Sequence, residues 1–200
     1  MGQIAPEQAE WAVVDRLRQM LEAPEGAYLA SQSYALFSSI LCWAMQHMRI
    51  HADYQLTDGD GAASALMAEL ENEQVNIEPW CVCSEPAGPV EGRGLTVPPP
   101  EGFENHSAAR LLRNLRDAMA HGDARKVQPF NHGEILVGFT FNCSELKKRK
   151  VDWQGRIVLL RADMQRIGCS LASRYCAAIK AADQSGELEA RAAAMIEDAA

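Results

Sequence analysis

Between Ile135 and Leu159 the hydrophobic period of this chain changes. Ile135, Val137, Phe139 and Phe141 alternate with Leu136, Gly138, Thr140 and Asn142, and Val151, Trp153, Ile157 and Leu159 take the alternation up again. Alternation with a period of two marks strands, because successive side chains leave a strand on opposite faces. Lys147-Lys148-Arg149-Lys150 lies between the two runs, so they read as a β-hairpin with a basic tip. On both sides of this segment the period is that of helices. The expected fold class is therefore all-α, a helical bundle with a β-hairpin inserted at about residues 135–160, before the last long helix.

The helices follow from apolar spacing and breakers. Pro6 to Glu22 carries Trp11, Val14, Leu17 and Leu21 on one side, with Pro6 suited to a first turn. Pro24-Glu25-Gly26 ends it. Ala27 to His51 has a broad apolar face (Phe37, Ile40, Leu41, Ala44, Met45, Met48) and is the expected central buried helix. Ala62 to Glu71 is a short helix. Glu73 to Glu104 is rich in Pro and Gly, and Pro98-Pro99-Pro100 continues no helix, so a long loop is expected, with one short strand at Gly94 to Val97. Asn105 to His121 is a helix with Asn105 as its N-cap. A last helix runs from Ala162 to about Ala182. The whole reads as one domain over residues 1–182, followed by an Ala- and Glu-rich tail, 183–200.

The six cysteines form no CxxC pair, and Met1 to Glu10 shows no basic stretch leading into an apolar one, so no disulfide framework is expected. The most apolar run, Tyr34 to Met45, is shorter than the ~20 residues that span a bilayer. A soluble, cytoplasmic chain with no membrane partner is the expectation. A net charge of −8 argues against a general nucleic-acid binder. The charge is unevenly spread, however. Residues 1–104 hold 4 Lys/Arg against 16 Asp/Glu, whereas residues 105–180 hold 14 against 6. Such asymmetry is compatible with a local polyanion site on an acidic protein.

That basic third contains the stretch Leu111 to Asp123, LLRNLRDAMAHGD. Projected on a helix, Ala108, Leu111, Leu112, Leu115, Ala118 and Met119 form an apolar stripe. Asn114, Asp117 and His121 stack on the opposite face, and Arg116 lies on the flank between the two. Gly122 is a natural C-cap, which would end the helix at the histidine.

Arg116-Asp117-Ala118-Met119-Ala120-His121 matches the R-polar-x-x-x-H signature of the HEPN superfamily (higher eukaryote and prokaryote nucleotide-binding domains). With the hairpin and the final apolar helix that follow, residues 105–180 resemble the branch found in stand-alone bacterial and plasmid proteins, the plasmid pEK499 type being near. The resemblance implies a HEPN-like helical bundle and a metal-independent RNA endonuclease without cofactor. It implies a homodimer in which Arg116 and His121 of both subunits meet at one cleft. Asp117 would orient His121 or contact the ribose. Members of this kind often serve as toxins, with an antitoxin partner, or in phage defence. The alternative is a non-catalytic HEPN domain that binds RNA, a nucleotide or a protein.

The chemistry is independently reasonable. Cleavage of RNA needs a proton taken from the 2′-hydroxyl and another given to the leaving oxygen, and imidazole titrates near neutrality. A permanently charged guanidinium stabilises the phosphorane. Yet residues five apart stand about 140° apart on an ideal helix, so one regular helix does not present Arg116 and His121 to one substrate.

Arg113, Asn114, Arg125 and Lys126 are the further candidates for RNA contact. Arg113 also has an ion-pair partner available in Asp117, four residues on. The basic tip could track a phosphate backbone or simply protect the hairpin. His47 and His51, with Asp53 near, have metal-ligand spacing but no third ligand set by spacing, and Cys81-Val82-Cys83 has an uncommon spacing for zinc, so no metal is expected. Trp80 and Trp153 could stack bases, although Trp153 falls on the apolar side of the hairpin.

Overall fold

The computed structural model describes residue 4 and residues 9–53, 62–83, 100–120 and 123–184. The order of elements is α1 (Ala9–Glu22), α2 (Leu29–Asp53), α3 (Ala62–Asn72), α4 (Ala108–Ala120), β1 (Val127–His132), β2 (Ile135–Lys147), β3 (Lys150–Leu160) and α5 (Arg161–Gln184). The strand expected at 94–97 and most of the tail lie outside the described residues.

The helices match the periodicity closely, but the all-α expectation is wrong. The fold is mixed α/β, with a three-stranded antiparallel sheet in the order β1-β2-β3. The hairpin of β2 and β3 runs from Gly138 opposite Leu160 to Glu145 opposite Trp153, and after a one-residue bulge continues to Lys147 opposite Lys150. The strand that sequence patterning omits is β1, which pairs Val127 with Phe141 and His132 with Ile135. Its partly buried positions are Val127 and Phe130, three apart, so no alternation betrays it. It also carries Pro129, which lacks an N–H and is tolerated at an edge. The outer edge of β3 is covered too, because Val158 N–H donates to the Cys83 carbonyl at 2.9 Å.

One core joins helices and sheet. Phe37, Ile40, Leu41, Met45 and Met48 of α2 are buried among Leu21 of α1, Leu111, Leu112 and Leu115 of α4, Phe141 of β2, Ile157 and Leu159 of β3, and Ile167, Leu171 and Tyr175 of α5. Close helix packing is possible at Gly168, where a Cβ would lie 2.7 Å from Leu21 and 3.0 Å from Phe37. The segment after α3 is part of this core. Trp80 is fully buried and Cys81, Val82 and Cys83 are buried beside it, so Trp80 is not available to stack a base. Arg166 of α5 holds the segment by donating to the carbonyls of Pro79 and Cys81.

One local expectation is corrected. Asn105 is not the cap of α4. Ser107 is, its Oγ accepting from Arg110 N–H at 3.2 Å and donating to Glu71 at 2.8 Å. The basic tip is a two-residue turn in which Lys148 and Arg149 both take positive φ, 49° and 66°. That geometry matches strand twist but favours Asn-Gly, since each non-glycine residue with left-handed φ costs about 1 kcal/mol. Arg149→Gly is therefore expected to raise stability by about 0.5–1 kcal/mol in urea denaturation, whereas Gly168→Val, forced against Leu21 and Phe37, should lower it by about 1–3 kcal/mol. A neutral Gly168→Val would show that the α1–α2–α5 junction is loosely packed.

Candidate nucleic-acid interface

The polar face of α4 lies against β2, and the contact is made by charge. Arg110 Nε and Nη2 donate to the two oxygens of Glu145 at 2.8 Å each, a forked pair. Asn114 Nδ2 donates to Glu145 Oε1 at 2.9 Å and lies 3.4 Å from Nε2 of His106. His106 is 1% exposed and packs at a tilt against both Phe103 and Trp153, ring centroids 4.8 and 4.6 Å away, while those two rings meet edge to face at 4.8 Å. Trp153 donates its indole N–H to the Gly102 carbonyl at 3.0 Å. Glu145 can reach this knot because it stands opposite Trp153, just before a bulge that shifts the register at Leu146.

The knot sets two protonation states. Burial, then the charge of Arg110, lowers His106 to about 4. The hydrogen bonds from Arg110, with help from Asn114, hold Glu145 at about 2. At neutral pH the imidazole is uncharged, with its Nε2 toward the Asn114 amide, and the carboxylate is ionised.

Beside the knot two polar clefts open and share a wall. The first, about 550 Å³, is lined by Asn114, Asp117 and Ala118 of α4, Lys126, and Asn142, Ser144, Glu145 and Leu146 of β2. The second, about 600 Å³, continues past Lys126, Asn142 and Ser144 to Asp123, Arg125, Gln154 and Arg156. Cross-strand register builds their floor: Asn142 is paired with Arg156 and Ser144 with Gln154, so four polar side chains form a ladder. A clamped turn delivers Lys126 to the rim of both. Asp123 accepts from the Arg125 N–H at 2.8 Å, its carbonyl accepts from Lys126 N–H at 2.7 Å, and Asn142 donates to the Arg125 carbonyl at 2.7 Å. Lys126 Nζ then donates to Ser144 Oγ.

The predicted site residues separate in this geometry. Asp117, half exposed at 51%, and Lys126 line the first cleft. Asn114 also lines it, but its amide is committed to Glu145, so it braces the wall. Arg116 is 16% exposed and pairs with Asp117 at 3.0 Å, while its Nε is buried without a partner among the described residues. Asp117 thus holds Arg116 and not Arg113. Arg113 is carried away from the clefts to Glu71 of α3. Arg125 lines the second cleft, fully solvated and neutralised by Asp123, whose own carboxyl its hydrogen bonds hold at about 2. His121 and Gly122 lie outside the described residues. Trp153 is part of the knot. His47 is bonded through Nδ1 to the Tyr175 hydroxyl, and among the described residues no group of three His, Cys, Asp or Glu is placed to hold a metal.

Sequence reasoning missed Glu145, His106 and Arg156. For Arg156 the signal was present, because Gln154 and Arg156 occupy the polar positions of the same alternation as Asn142 and Ser144. Glu145 and His106 lie 31 and 8 residues from Asn114, a separation that no local spacing reveals. No protein family, no curated protein and no solved structure matches the chain. Among the described residues no helix is long and apolar enough to cross a membrane.

Acid should loosen this interface in two stages. Between about pH 6.5 and 4 the unfolded chain protonates His106 and the folded one does not, so stability falls as pH falls. Below about 4.5 the unfolded chain likewise protonates Glu145 while the fold holds it ionised, and stability falls further toward pH 2. Urea midpoints measured from pH 7 to 3 should show both stages, with His106→Gln flattening the upper and Glu145→Gln the lower. An undiminished upper stage in His106→Gln would remove the assignment.

Proposed function

We propose that this protein is an RNA endonuclease that works as a homodimer, with Arg116, Asp117 and His121 as its reactive groups and the two clefts as its RNA-binding surface. The supporting observation is the continuous polar trough of Asp117, Lys126, Asn142, Ser144 and Arg156 at the C-terminal half of the helix that carries the R-polar-x-x-x-H motif. Amide, hydroxyl and cationic donors in one trough suit phosphates and ribose hydroxyls. His121, the next residue but one before Asp123 of that trough, transfers the protons. Arg116, oriented by Asp117, stabilises charge on the phosphorane. The second copy supplies the histidine that a single helix turns away.

A second reading is favoured by the shallow exposure of Arg116, which limits its contact with a phosphate. In that reading the trough binds RNA without cleaving it, through Lys126 and Arg156.

One experiment separates these readings. End-labelled single-stranded RNA is incubated in EDTA with wild type and with the His121→Ala, Arg116→Ala and Lys126→Ala variants, with binding followed in parallel. The nuclease reading expects cleavage by wild type and a loss of at least ~100-fold in His121→Ala. It also expects Lys126→Ala to weaken binding and reduce the salt slope by about 1. Equal cleavage by wild type and His121→Ala overturns it. Tight RNA binding with no cleavage by any variant selects the second reading, and a cleaving species that light scattering shows to be a monomer removes the composite site.

A further inference from the structure

A cavity of about 450 Å³ lies away from the clefts, where the start of α2, the start of β2 and the start of α5 converge. Its walls are Leu29, Ala30, Leu136 and Val137, with Tyr28 and Ile135 at the mouth and one cation, Arg161. Four features distinguish it from an ordinary surface dimple. Its size falls in the range of small-ligand pockets, ~300–1,000 Å³, and its lining is mostly apolar with few polar groups, as such pockets are. Tyr28 is held at φ 62° and is 85% exposed, so a large aromatic residue stands at the mouth in a conformation that L side chains rarely adopt. Ile135, the first apolar residue of the β2 alternation, is exposed beside it. Finally, Arg161 has no acidic partner among the described residues, whereas Arg110, Arg113, Arg116, Arg125, Arg166 and Arg174 all have one.

We infer that this cavity binds a small apolar carboxylate, its hydrocarbon part against Leu29, Leu136 and Val137 and its carboxylate on Arg161. A single cation among the lining residues compensates a monoanion and leaves a phosphate dianion half unpaired. Gln32 N–H makes its helical bond to the Tyr28 carbonyl at 3.0 Å, so the amides of the lining residues Leu29, Ala30 and Ser31 precede the first turn's bonds and add donors at the same mouth. The apolar wall gives affinity, and Arg161 gives the preference for acid over alcohol. The site is independent of any activity at the clefts.

Octanoate and octan-1-ol, equal in chain length and different in charge, are the probes, titrated into the full chain and followed by methyl and amide chemical shifts. Octanoate is expected to shift residues of the cavity with a dissociation constant of about 1 mM or tighter, which is what ten non-hydrogen atoms of ordinary ligand efficiency provide. Octan-1-ol should bind about tenfold more weakly, the loss of one charge-assisted contact. Arg161→Gln should bring octanoate down to the alcohol, and Ser31→Trp, an exposed position at the rim, should weaken both probes. Shifts far from the cavity in each variant report that the fold is retained. Equal binding of the two probes, unchanged octanoate binding in Arg161→Gln, or no shifts at 10 mM octanoate each overturn the assignment.

Discussion

The carboxylate of Glu145 is the tie on which the functional half of this molecule depends. A sheet and a helix with apolar faces can pack in many rotations and slides, since burial is non-directional. Glu145 removes that freedom. It takes a forked pair from Arg110 and a further hydrogen bond from Asn114, one turn along the same helix face. Two anchor points on α4 fix both its azimuth and its position along β2. Ionised donors and acceptors of this kind are short and directional. Removal of the carboxylate would leave Asn114 buried without its acceptor, a larger loss than a surface ion pair suggests. The bulge after Glu145 and the stacking of Trp153 on His106 serve the same end, because both hold the strand where the carboxylate meets the helix.

Once α4 is fixed, the charge of the chain is redistributed in a way that its linear order hides. The segment 105–180 is strongly basic, and the segment before it strongly acidic. In the fold much of this cancels. Arg113 meets Glu71, Arg166 meets Glu78, and Arg174 meets Glu69 and Glu73. Arg110, Arg116 and Arg125 are paired inside their own segment. Three of these cations thus bind the second half of the chain to the first. What faces the clefts is narrower: Lys126, bonded to the Ser144 hydroxyl, and Arg156 stand among Asn142, Ser144 and Gln154, beside Arg125 with its partner Asp123, and Asp117 and Glu145 line the first cleft. At Lys126 itself a phosphate would displace a hydroxyl, whereas at Arg125 and Arg116 it would compete with the paired carboxylates of Asp123 and Asp117.

Helices and hairpin were legible in the sequence because their signals are local. The apolar stripe of α4 and the alternation of β2 and β3 each repeat within a few residues. β1 was not legible, because an edge strand of six residues with an internal proline buries little and is defined by its partner more than by its own pattern. The site was legible in part for the same reason. Asp117 and Lys126 could be named from helix face and motif. Asn114 was placed on the polar face, but its bracing contacts were not legible, since its partners come from residue 145 and residue 106. Trp80 was misjudged because a Pro-rich context reads as loop, whereas the backbone there closes on β3 and on Arg166 to complete the core.

The pairing of Arg116 with Asp117 bears most directly on mechanism. A carboxylate on that face was expected to orient the histidine, yet here it grips the arginine one residue before it. Arg116 spends one Nη2 donor on this pair, and its Nε is buried without a partner among the described residues. A guanidinium has five N–H groups in a fixed fork, so a phosphoryl oxygen can be bound beside Asp117 without displacing it. The pair as it stands is close to neutral and holds the guanidinium still. A negatively charged phosphorane arriving beside it gains a pre-oriented donor set, and little reorganisation is needed at the moment of reaction. On the proposed nuclease reading Asp117 would act by positioning Arg116. In the nuclease we propose, that division of labour assigns the proton transfers wholly to His121 and makes the arrival of a second α4, with a histidine of its own, the step that would complete the site.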